Sequence, residues 1–527
     1  KFLLGSLLAA LAVADLVAGS TPVPDTSEKC LACEDSMNQF IDTWSNETTV
    51  ADILTEMQEN CKAYPYLQQQ VCDKLAEVFV QIPPGLIKGM DSLAWPYPEA
   101  MCATLLQCKV NCCAADAPPE QVHLSLTGSD RTRMAVTWVT LNPSASFVLY
   151  GTSAEDLDMK VQGGIDTYVA AGWVGTIHRA VMVDLEPGTM YFYKVGDPTA
   201  PEGAQWSETF PFTPALAGAT LTYAVVADMG YGDASDYTIQ ALKDLVNARE
   251  VHAVIHSGDI SYADGYEPHW DNFFNKIEFI AARVPYMVTP GNHEFWYNFS
   301  AYKHRFTMPG VYGHSENDGR TTEGSGDNMY YSWDSEFVHF LALDSESLVD
   351  TAYFSTAEQA WIRKDLRNVD RSTSPWVVAH FHRPAYCSSD HACLDTAPDS
   401  GSKTNAYYVK RVVEDVFYDN KVDLVLQGHV HAYQRTFPVY QEQATSTNYT
   451  APTAPVYVLQ GGSGNREGNK GSYPAPEDMP AWSAAARTEV GYGLLTVSET
   501  SLDWKFFSSA LDEATPGQLL DEMTITR

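Results

Sequence analysis

The stretch AVIHSGDISY, residues Ala253–Tyr262, decides the fold of the larger part of this chain. A short, mostly apolar run typical of a buried strand ends abruptly at Gly258-Asp259, and polar residues follow. In open α/β sheets, buried strands build sites by presenting polar side chains at their carboxyl ends. The stretch therefore predicts a parallel strand with functional residues just beyond it.

The same pattern occurs four more times. Apolar runs lead into polar clusters at Asp228-Met229-Gly230, Gly291-Asn292-His293-Glu294, His380-Phe381-His382 and Gly428-His429-Val430-His431. A lone Gly-Asp or Gly-Asn is usually a turn, but five such strand ends in order indicate one shared site. Asp, Asn, Tyr and His all ligate hard or borderline metals. From Leu221 onward, strands alternate with helical stretches, which predicts a layered α/β domain.

The bulk composition sets limits on function. A chain of 527 residues predicts several domains, and 45% apolar residues are enough for packed cores. The formal net charge is −34. Such a surface repels nucleic acid and anionic membranes at neutral pH. We therefore do not expect this protein to bind nucleic acid.

The first residues have the layout of a targeting segment. A lysine and an apolar run to about Val17 predict a signal peptide over residues 1–19, and hence a secreted or a lysosomal or vacuolar protein. A membrane anchor is the alternative, but Asp15 interrupts a run shorter than the roughly 20 residues that a span needs. Sequons at Asn46, Asn298 and Asn448 predict a glycoprotein.

Residues 28–114 form a cysteine-rich unit with apolar residues at helical spacing. Eight of the ten cysteines lie between Cys30 and Cys113, which favours an oxidising compartment. Because the unit has no histidine, disulfides are a better interpretation than zinc. The spacing resembles that of the saposin B-type domain, a helical fold whose relatives bind lipids. That resemblance implies lipid contact through residues 28–114 and the pairs Cys30–Cys108, Cys33–Cys102 and Cys61–Cys72.

Four cysteines lie outside that framework. Cys387 and Cys393 could close a small disulfide loop. The adjacent Cys112 and Cys113 could form a vicinal disulfide, or one of them could reach another chain. We favour the link to another chain, which predicts a homodimer.

Residues 118–215 contain short alternating segments separated by turn residues. This pattern of short strands and turns predicts an all-β, fibronectin III-like sandwich. No cluster of titratable residues occurs there, so we interpret the unit as a structural or docking module.

The ordered motifs resemble those of the purple acid phosphatases, which are metallophosphoesterases. The matching residues are Asp228-x-Gly230, Gly258-Asp259-x-x-Tyr262, Gly291-Asn292-His293-Glu294, Val377-x-x-His380 and Gly428-His429-x-His431. The resemblance implies a catalytic domain over 220–445, with two mixed β-sheets flanked by helices. Residues 450–527 would complete that domain.

The resemblance also implies a ligand set. Asp228, Tyr262 and His431 would hold Fe(III), and Asp259 would bridge to a divalent Zn, Mn or Fe ion. That second ion would be held by Asn292, His380 and His429. The implied reaction is hydrolysis of a phosphate monoester by a metal-activated hydroxide that attacks phosphorus.

Other residues near the motifs receive supporting roles. We expect His293 to stabilise charge on the phosphoryl group, and either His382 or His391 to protonate the leaving group. Asp264 and Glu294 are expected to orient ligands. Asp344 is interpreted as structural because the ligand set is already full.

Two other functions fit part of the sequence. A lipid-directed phosphodiesterase resembling the acid sphingomyelinases would join a saposin domain to a related phosphoesterase fold, but Tyr262 favours the purple phosphatases. A non-catalytic lipid-binding protein would have a degenerate ligand set, and no position of the set is missing here.

Overall fold

The computed structural model describes residues 109–114, 117–311, 324–347, 354–389, 393, 405–469, 472–509 and 517–527. The predicted signal peptide, nearly all of the saposin-like unit with its three disulfides, Asn46 and His391 lie outside these residues. Within the described ranges, no helix combines the length and apolar character needed to cross a membrane.

The N-terminal part of the described chain is all β. Its strands are β1 (Val110–Asn111), β2 (Glu120–Ser125), β3 (Met134–Thr140), β4 (Phe147–Gly151), β5 (Met159–Gln162), β6 (Gly164–Asp166), β7 (Trp173–Val174), β8 (Thr176–Met182), β9 (Tyr191–Gly196) and β10 (Phe210–Phe212). Two four-stranded antiparallel sheets, β2-β3-β8-β6 and β10-β9-β4-β5, enclose a core around Trp138, Val148 and Tyr193. The β-rich domain predicted from alternation is confirmed.

The chain enters this domain through β1, which pairs in parallel with β7. The two cysteines that follow β1 face each other, and the Sγ atoms of Cys112 and Cys113 lie 2.7 Å apart. Cys112 is buried, and its backbone N–H donates to the carbonyl of Val174. Both cysteines are free in the structure, and the predicted link to another chain stays a prediction.

The rest of the chain forms a mixed α/β domain. Its strands are β11 (Leu221–Val226), β12 (Ala253–Ser257), β13 (Tyr286–Thr289), β14 (Tyr331–Ser335), β15 (Val338–Ala342), β16 (Trp376–Phe381), β17 (Leu424–Gln427), β18 (Tyr433–Thr436), β19 (Val439–Tyr440), β20 (Gln443–Ala444), β21 (Val456–Gln460), β22 (Ser483–Arg487), β23 (Gly491–Val497), β24 (Ser501–Ser508) and β25 (Leu519–Thr526). Its helices are α1 (Asp236–Asn247), α2 (Pro268–Ala281), α3 (Trp296–Arg305), α4 (Thr356–Asn368) and α5 (Asn405–Asp419).

Two sheets of mixed direction form the centre of this domain. One has the order β13-β12-β11-β23-β24-β25 and the other β14-β15-β16-β17-β21-β18-β22. Strands β11–β13 are parallel to one another, as are β15, β16, β17 and β21, whereas β23–β25 add antiparallel strands from the C-terminal segment. The expected pair of mixed sheets is confirmed.

Apolar side chains of both sheets share one core, in which Val225 and Ile255 of the first sheet join Phe340 and Leu426 of the second. Helix α1 buries Ile239, Leu242 and Val246, a helical spacing that presents one apolar face to the core. Helices α4 and α5 cover the other face of the second sheet. With both faces covered, the parallel strands are buried almost throughout and are mostly apolar.

Candidate metal centre

The polar side chains that follow the parallel strands meet at one edge of the two sheets. Asp228 follows β11, Asp259 follows β12, Asn292 follows β13, His382 follows β16 and His429 follows β17. Each lies one to three residues beyond its strand. Because parallel strands end at the same edge, five segments distant in sequence converge there.

The first half of the cluster is anionic. One ligand atom each from Asp228, Asp259 and His431 lie within 4.8 Å of one another. The Tyr262 Oη lies 3.1 Å from His431 Nε2 and 3.5 Å from Asp228 Oδ1. Two carboxylates, one phenol and one imidazole therefore face a common point.

The second half of the cluster shares Asp259 with the first. Asp259, His382 and His429 also bring ligand atoms within 4.8 Å of one another. The His382 Nε2 lies 3.0 Å from Asp259 Oδ2, 3.2 Å from Asn292 Oδ1 and 3.2 Å from His429 Nδ1. The shared carboxylate is positioned to bridge two ions.

His380 does not join this cluster, which corrects the ligand set that the resemblance implied. It lies inside β16, where its ring packs edge-on against Trp333 and its Nδ1 is 3.4 Å from Ser257 Oγ. His382 takes the place assigned to His380, because His382 comes just after the strand ends. Among the described residues, the buried His380 Nε2 has no hydrogen-bond partner.

This correction changes the assignment of the general acid. His382, one of the two candidates, lies within the cluster, and His391 lies outside the described residues. Cys387 and Cys393 form the predicted disulfide, which frames the segment containing His391. His293 lies beside the cluster: its Nδ1 is 2.6 Å from Asp264 Oδ1, and its Nε2 is 3.8 Å from Asp259 Oδ2 and 3.7 Å from Glu467 Oε1.

The predicted orienting residues make the expected type of contact. The carboxylate of Glu294 accepts from the backbone N–H groups of Ile260 at 2.9 Å and Gly291 at 2.8 Å, and so joins the loops after β12 and β13. Asp264 pairs with His293 and with Arg466. Asp344, interpreted as structural, accepts from nearby backbone N–H groups instead.

Several residues of the cluster have strained backbone conformations. Asp228, Asp259, Tyr262, Asp264 and His429 all have φ between 50° and 74°. Side-chain-bearing residues rarely occupy this left-handed region, and such strain clusters at functional sites where the surroundings hold it in place. The strain at these five residues is therefore consistent with a functional role for the cluster.

The cluster also has the properties of a site for two metal ions. The His382 Nδ1 faces the carbonyl of Ser257 at 3.1 Å, and the His431 Nδ1 faces that of Gly468 at 3.1 Å. Ligating histidines usually bond a backbone carbonyl through one nitrogen and leave the other for the metal. A side chain at Gly258 (φ +81°) would meet the His382 ring at 2.5 Å, so glycine is needed there. The donor set and its supports fit the metals that the resemblance implies.

Three family models match consecutive parts of the chain. They describe a purple acid phosphatase N-terminal domain over 119–214, a calcineurin-like phosphoesterase over 221–433 and an iron/zinc purple acid phosphatase-like C-terminal region over 454–522. The chain is similar to acid phosphatase type 7 of Danio rerio, with 33% identity over 451 residues that cover 78% of this chain and 93% of the relative. It belongs to the purple acid phosphatase family.

Other relatives of this purple acid phosphatase come from plants. Probable purple acid phosphatase 20 of Arabidopsis thaliana is 32% identical over 399 residues, covering 74% of this chain and 84% of the relative. The solved purple acid phosphatase PPD1 from yellow lupin seeds superposes with a TM-score of 0.63 at 26% identity, covering 78% of this chain and 75% of that one. The enzyme is thus a metal-dependent acid phosphatase, as its sequence predicted.

A glycine-rich loop after β21 also contacts the cluster of the phosphatase, and it was not among the residues predicted from the sequence. Asn465 Nδ2 donates to the carbonyl of Asp228 at 3.0 Å, and Arg466 pairs with Asp264 with its guanidinium 5.9 Å from the centre of the Tyr262 ring. The signal for the loop is its composition, GGSGNREG over 461–468, directly after an apolar strand.

Arg383 is a second residue that the motifs did not indicate. Its Nη1 lies 3.1 Å from His429 Nε2, and its Nη2 pairs with Glu346 at 2.8 Å. The side chains of Arg383 and Glu346 are both buried. Their ion pair therefore holds the positive charge of Arg383 beside the imidazole of His429. Burial and the charge of Arg383 together lower the pKa of His429 well below its usual value, which keeps the imidazole neutral, the form that binds metals.

The charged side chains of the cluster shift one another's pKa values. Burial alone would lower the pKa of His382, but the charges of Asp259 and Asp228 outweigh it and raise that pKa to about 9. Burial opposes ionisation of Asp259, yet His382 and His293 hold its pKa well below the usual value. His382 and His293 thus stabilise the ionised form of the buried Asp259.

Proposed function

We propose that this purple acid phosphatase hydrolyses phosphate monoesters at acidic pH with an Fe(III)–M(II) centre. Asp228, Tyr262 and His431 would hold the ferric ion, and Asp259 would bridge the two metals. The divalent ion, Zn, Mn or Fe, would be held by Asn292, His382 and His429. The observation that carries the proposal is the pair of donor groups that share Asp259.

The choice of a ferric ion rests on Tyr262. A phenolate is a hard anionic ligand suited to Fe(III). Burial and the neighbouring Asp228 and Asp259 raise the pKa of Tyr262 well above its usual value. A metal held there would add local positive charge and would favour the phenolate form of Tyr262.

Two bound ions would supply Lewis acidity toward the phosphoryl oxygens and a nucleophilic water. The protein's own residues would orient the ester. His293, held between Asp264 and Glu467, would donate a hydrogen bond to a phosphoryl oxygen. We assign protonation of the leaving group to His391, because His382 is proposed here as a metal ligand.

Metal analysis and a visible spectrum test the centre. We expect about two metals per chain, including iron, a visible absorption band, and hydrolysis of nitrophenyl phosphate. Tyr262→Phe should abolish the band, since it removes the phenolate that supplies the charge transfer. An active, colourless wild-type protein without iron would refute the role of Tyr262.

The phosphomonoesterase proposal is favoured over a sphingomyelinase-type activity by the relatives, which are acid phosphatases and purple acid phosphatases. Assay of a phosphomonoester against a choline phospholipid separates the two. Preference for the phospholipid would overturn the proposal.

Location and lipid contact are separate proposals that rest on the sequence. We propose that the protein enters the secretory route through residues 1–19, is glycosylated at its sequons, and contacts lipid through residues 28–114. Asn298 and Asn448 are both exposed, as glycan acceptors must be. Liposome flotation between pH 4 and 7, with and without residues 28–114, tests the lipid contact; identical behaviour of the two proteins would exclude it.

A further inference from the structure

A buried arginine lies where the β-sandwich meets the catalytic domain. The side chain of Arg305 is 1% exposed, and its Nη1 donates to Asp271 Oδ1 at 2.8 Å and to Gln121 Oε1 at 3.0 Å. Its Nε donates to Tyr168 Oη at 2.8 Å. Arg305 and Asp271 belong to the catalytic domain, whereas Gln121 and Tyr168 belong to the sandwich.

Two aromatic rings of the sandwich pack against this guanidinium. Its carbon lies 4.6 Å from the ring centre of Trp173 and 5.5 Å from that of Tyr168, and the two rings are stacked. Trp173 Nε1 donates to Asp271 Oδ2 at 3.1 Å, and Tyr168 Oη donates to the buried Glu267. The sandwich therefore satisfies polar groups that the catalytic domain buries at this boundary.

The three catalytic-domain residues of this cluster lie where the two segments that carry metal-site residues run out: Glu267 and Asp271 at the start of α2, and Arg305 at the end of α3. Glu267 lies three residues after Asp264, in the segment that also contains Asp259 and Tyr262. Arg305 ends α3, in the segment that begins with Asn292 and His293. The contact between Arg305 and Asp271 therefore joins the far ends of both segments.

Both segments contain backbone that needs support. Asp259, Tyr262 and Asp264 have positive φ in the first, and Tyr297, Asn298 and Phe299 have φ of 53–60° in the second. Such conformations persist only where the surrounding structure holds them. The cluster around Arg305 provides that constraint from outside the metal centre.

We infer that Arg305, Tyr168 and Asp271 are positioning residues through which the β-sandwich holds the metal-bearing segments in place and slows metal loss. The inference rests on the proposed metal centre. None of the three contacts a metal ligand, so they act through the backbone of the two segments. The sandwich is then part of the catalytic apparatus and does more than dock.

Tyr168→Phe tests the inference, because it removes one hydroxyl that makes two polar contacts across the boundary. Ser129→Ala is the matched control. The Ser129 hydroxyl also makes two contacts between the same domains, donating to Asp334 Oδ2 at 3.0 Å and accepting from Asp334 N at 3.0 Å. Asp334 lies on β14, which carries no metal-site residue.

The measurement is the rate at which the full-length, metal-loaded proteins lose metal to a chelator, well below their unfolding temperatures. We expect Tyr168→Phe to lose metal about 10–100-fold faster than wild type, as for other contacts that support ligands. Ser129→Ala should stay at the wild-type rate. Arg305→Met should resemble Tyr168→Phe, but the test does not depend on its folding.

The outcomes separate this inference from the proposed function. If wild type holds no metals, both fail. If wild type holds metals and hydrolyses phosphomonoesters while Tyr168→Phe loses metal at the wild-type rate, only the inference fails. Equal acceleration in Tyr168→Phe and Ser129→Ala would also overturn it, because domain contact in general would then explain the effect.

Discussion

Two histidines separated by one residue should differ sharply in their effect on the enzyme. His382 lies in the ligand cluster, whereas His380 reaches that cluster only through Ser257, 3.4 Å from its Nδ1. Both are fully buried, so alanine at either position removes an imidazole from a packed interior. The pair therefore separates a loss of packing from the loss of a ligand.

The distances set the expected magnitudes. The His382 Nε2 is within 3.2 Å of Asp259, Asn292 and His429, so His382→Ala opens the second metal position directly. Mutation of a residue that only contacts a metal ligand typically reduces metal affinity or activity by about 10–100-fold. Removal of a ligand itself should have a larger effect. His380→Ala, one contact further away, should reduce kcat/KM by about 10-fold or less.

The assay combines metal content per chain with kcat/KM for nitrophenyl phosphate, and unfolding in urea checks that the two variants are comparably stable. We expect His382→Ala to retain about one metal per chain and His380→Ala to retain about two, the number that the proposed centre holds. Loss of metal from His380→Ala, with His382→Ala unchanged, would refute the placement of the ligands after their strands.

Three further predictions concern stability and redox state. Glu294→Ala leaves two buried backbone N–H groups without an acceptor, which costs about 1–3 kcal/mol for each group. The free energy of unfolding measured in urea should therefore fall by about 2–6 kcal/mol. An unchanged urea midpoint would contradict this prediction. Burial lowers the pKa of His339, but Asp334 and Asp365 outweigh burial and raise it to about 9. Protonated His339 therefore stabilises the fold by about 3 kcal/mol below pH ~6.5, and this contribution is lost as the pH rises to ~9. In urea titrations, His339→Asn should reduce the dependence of the free energy of unfolding on pH over this range. Cys112 and Cys113 should form a vicinal disulfide, seen as a peptide that resists alkylation until reduced; a covalent dimer on non-reducing gels would contradict it.

The sequence was sufficient to predict most of the catalytic domain, because each parallel strand is buried on both faces and its first polar residues mark its end. That signal located Asp228, Asp259, Asn292 and His429 correctly within the cluster. The same burial explains the error at His380. When polar and apolar residues do not alternate along a strand, the sequence does not show at which residue the strand ends. Either His380 or His382 could therefore be assigned to the ligand position.

A proline would have resolved this choice. Pro384 follows Arg383, and the residue before a proline favours extended or turn backbone while proline itself cannot donate to a sheet. The strand must therefore end close to His382, so the histidine that follows the strand and joins the cluster is His382. The loop at 461–468 was harder to predict, because Asn465 and Arg466 act through backbone and side-chain contacts that only tertiary packing creates.

The left-handed backbone at the metal ligands has a consequence for engineering. Each such residue costs about 1–3 kcal/mol, and glycine relieves this strain because it has no side chain. Asp228, Asp259 and His429 are thus positions where a glycine would relieve strain yet remove a ligand. Screening variants for heat resistance alone would favour inactive proteins altered at these residues. Selection for thermostability in this enzyme must therefore be coupled to catalysis from the first round.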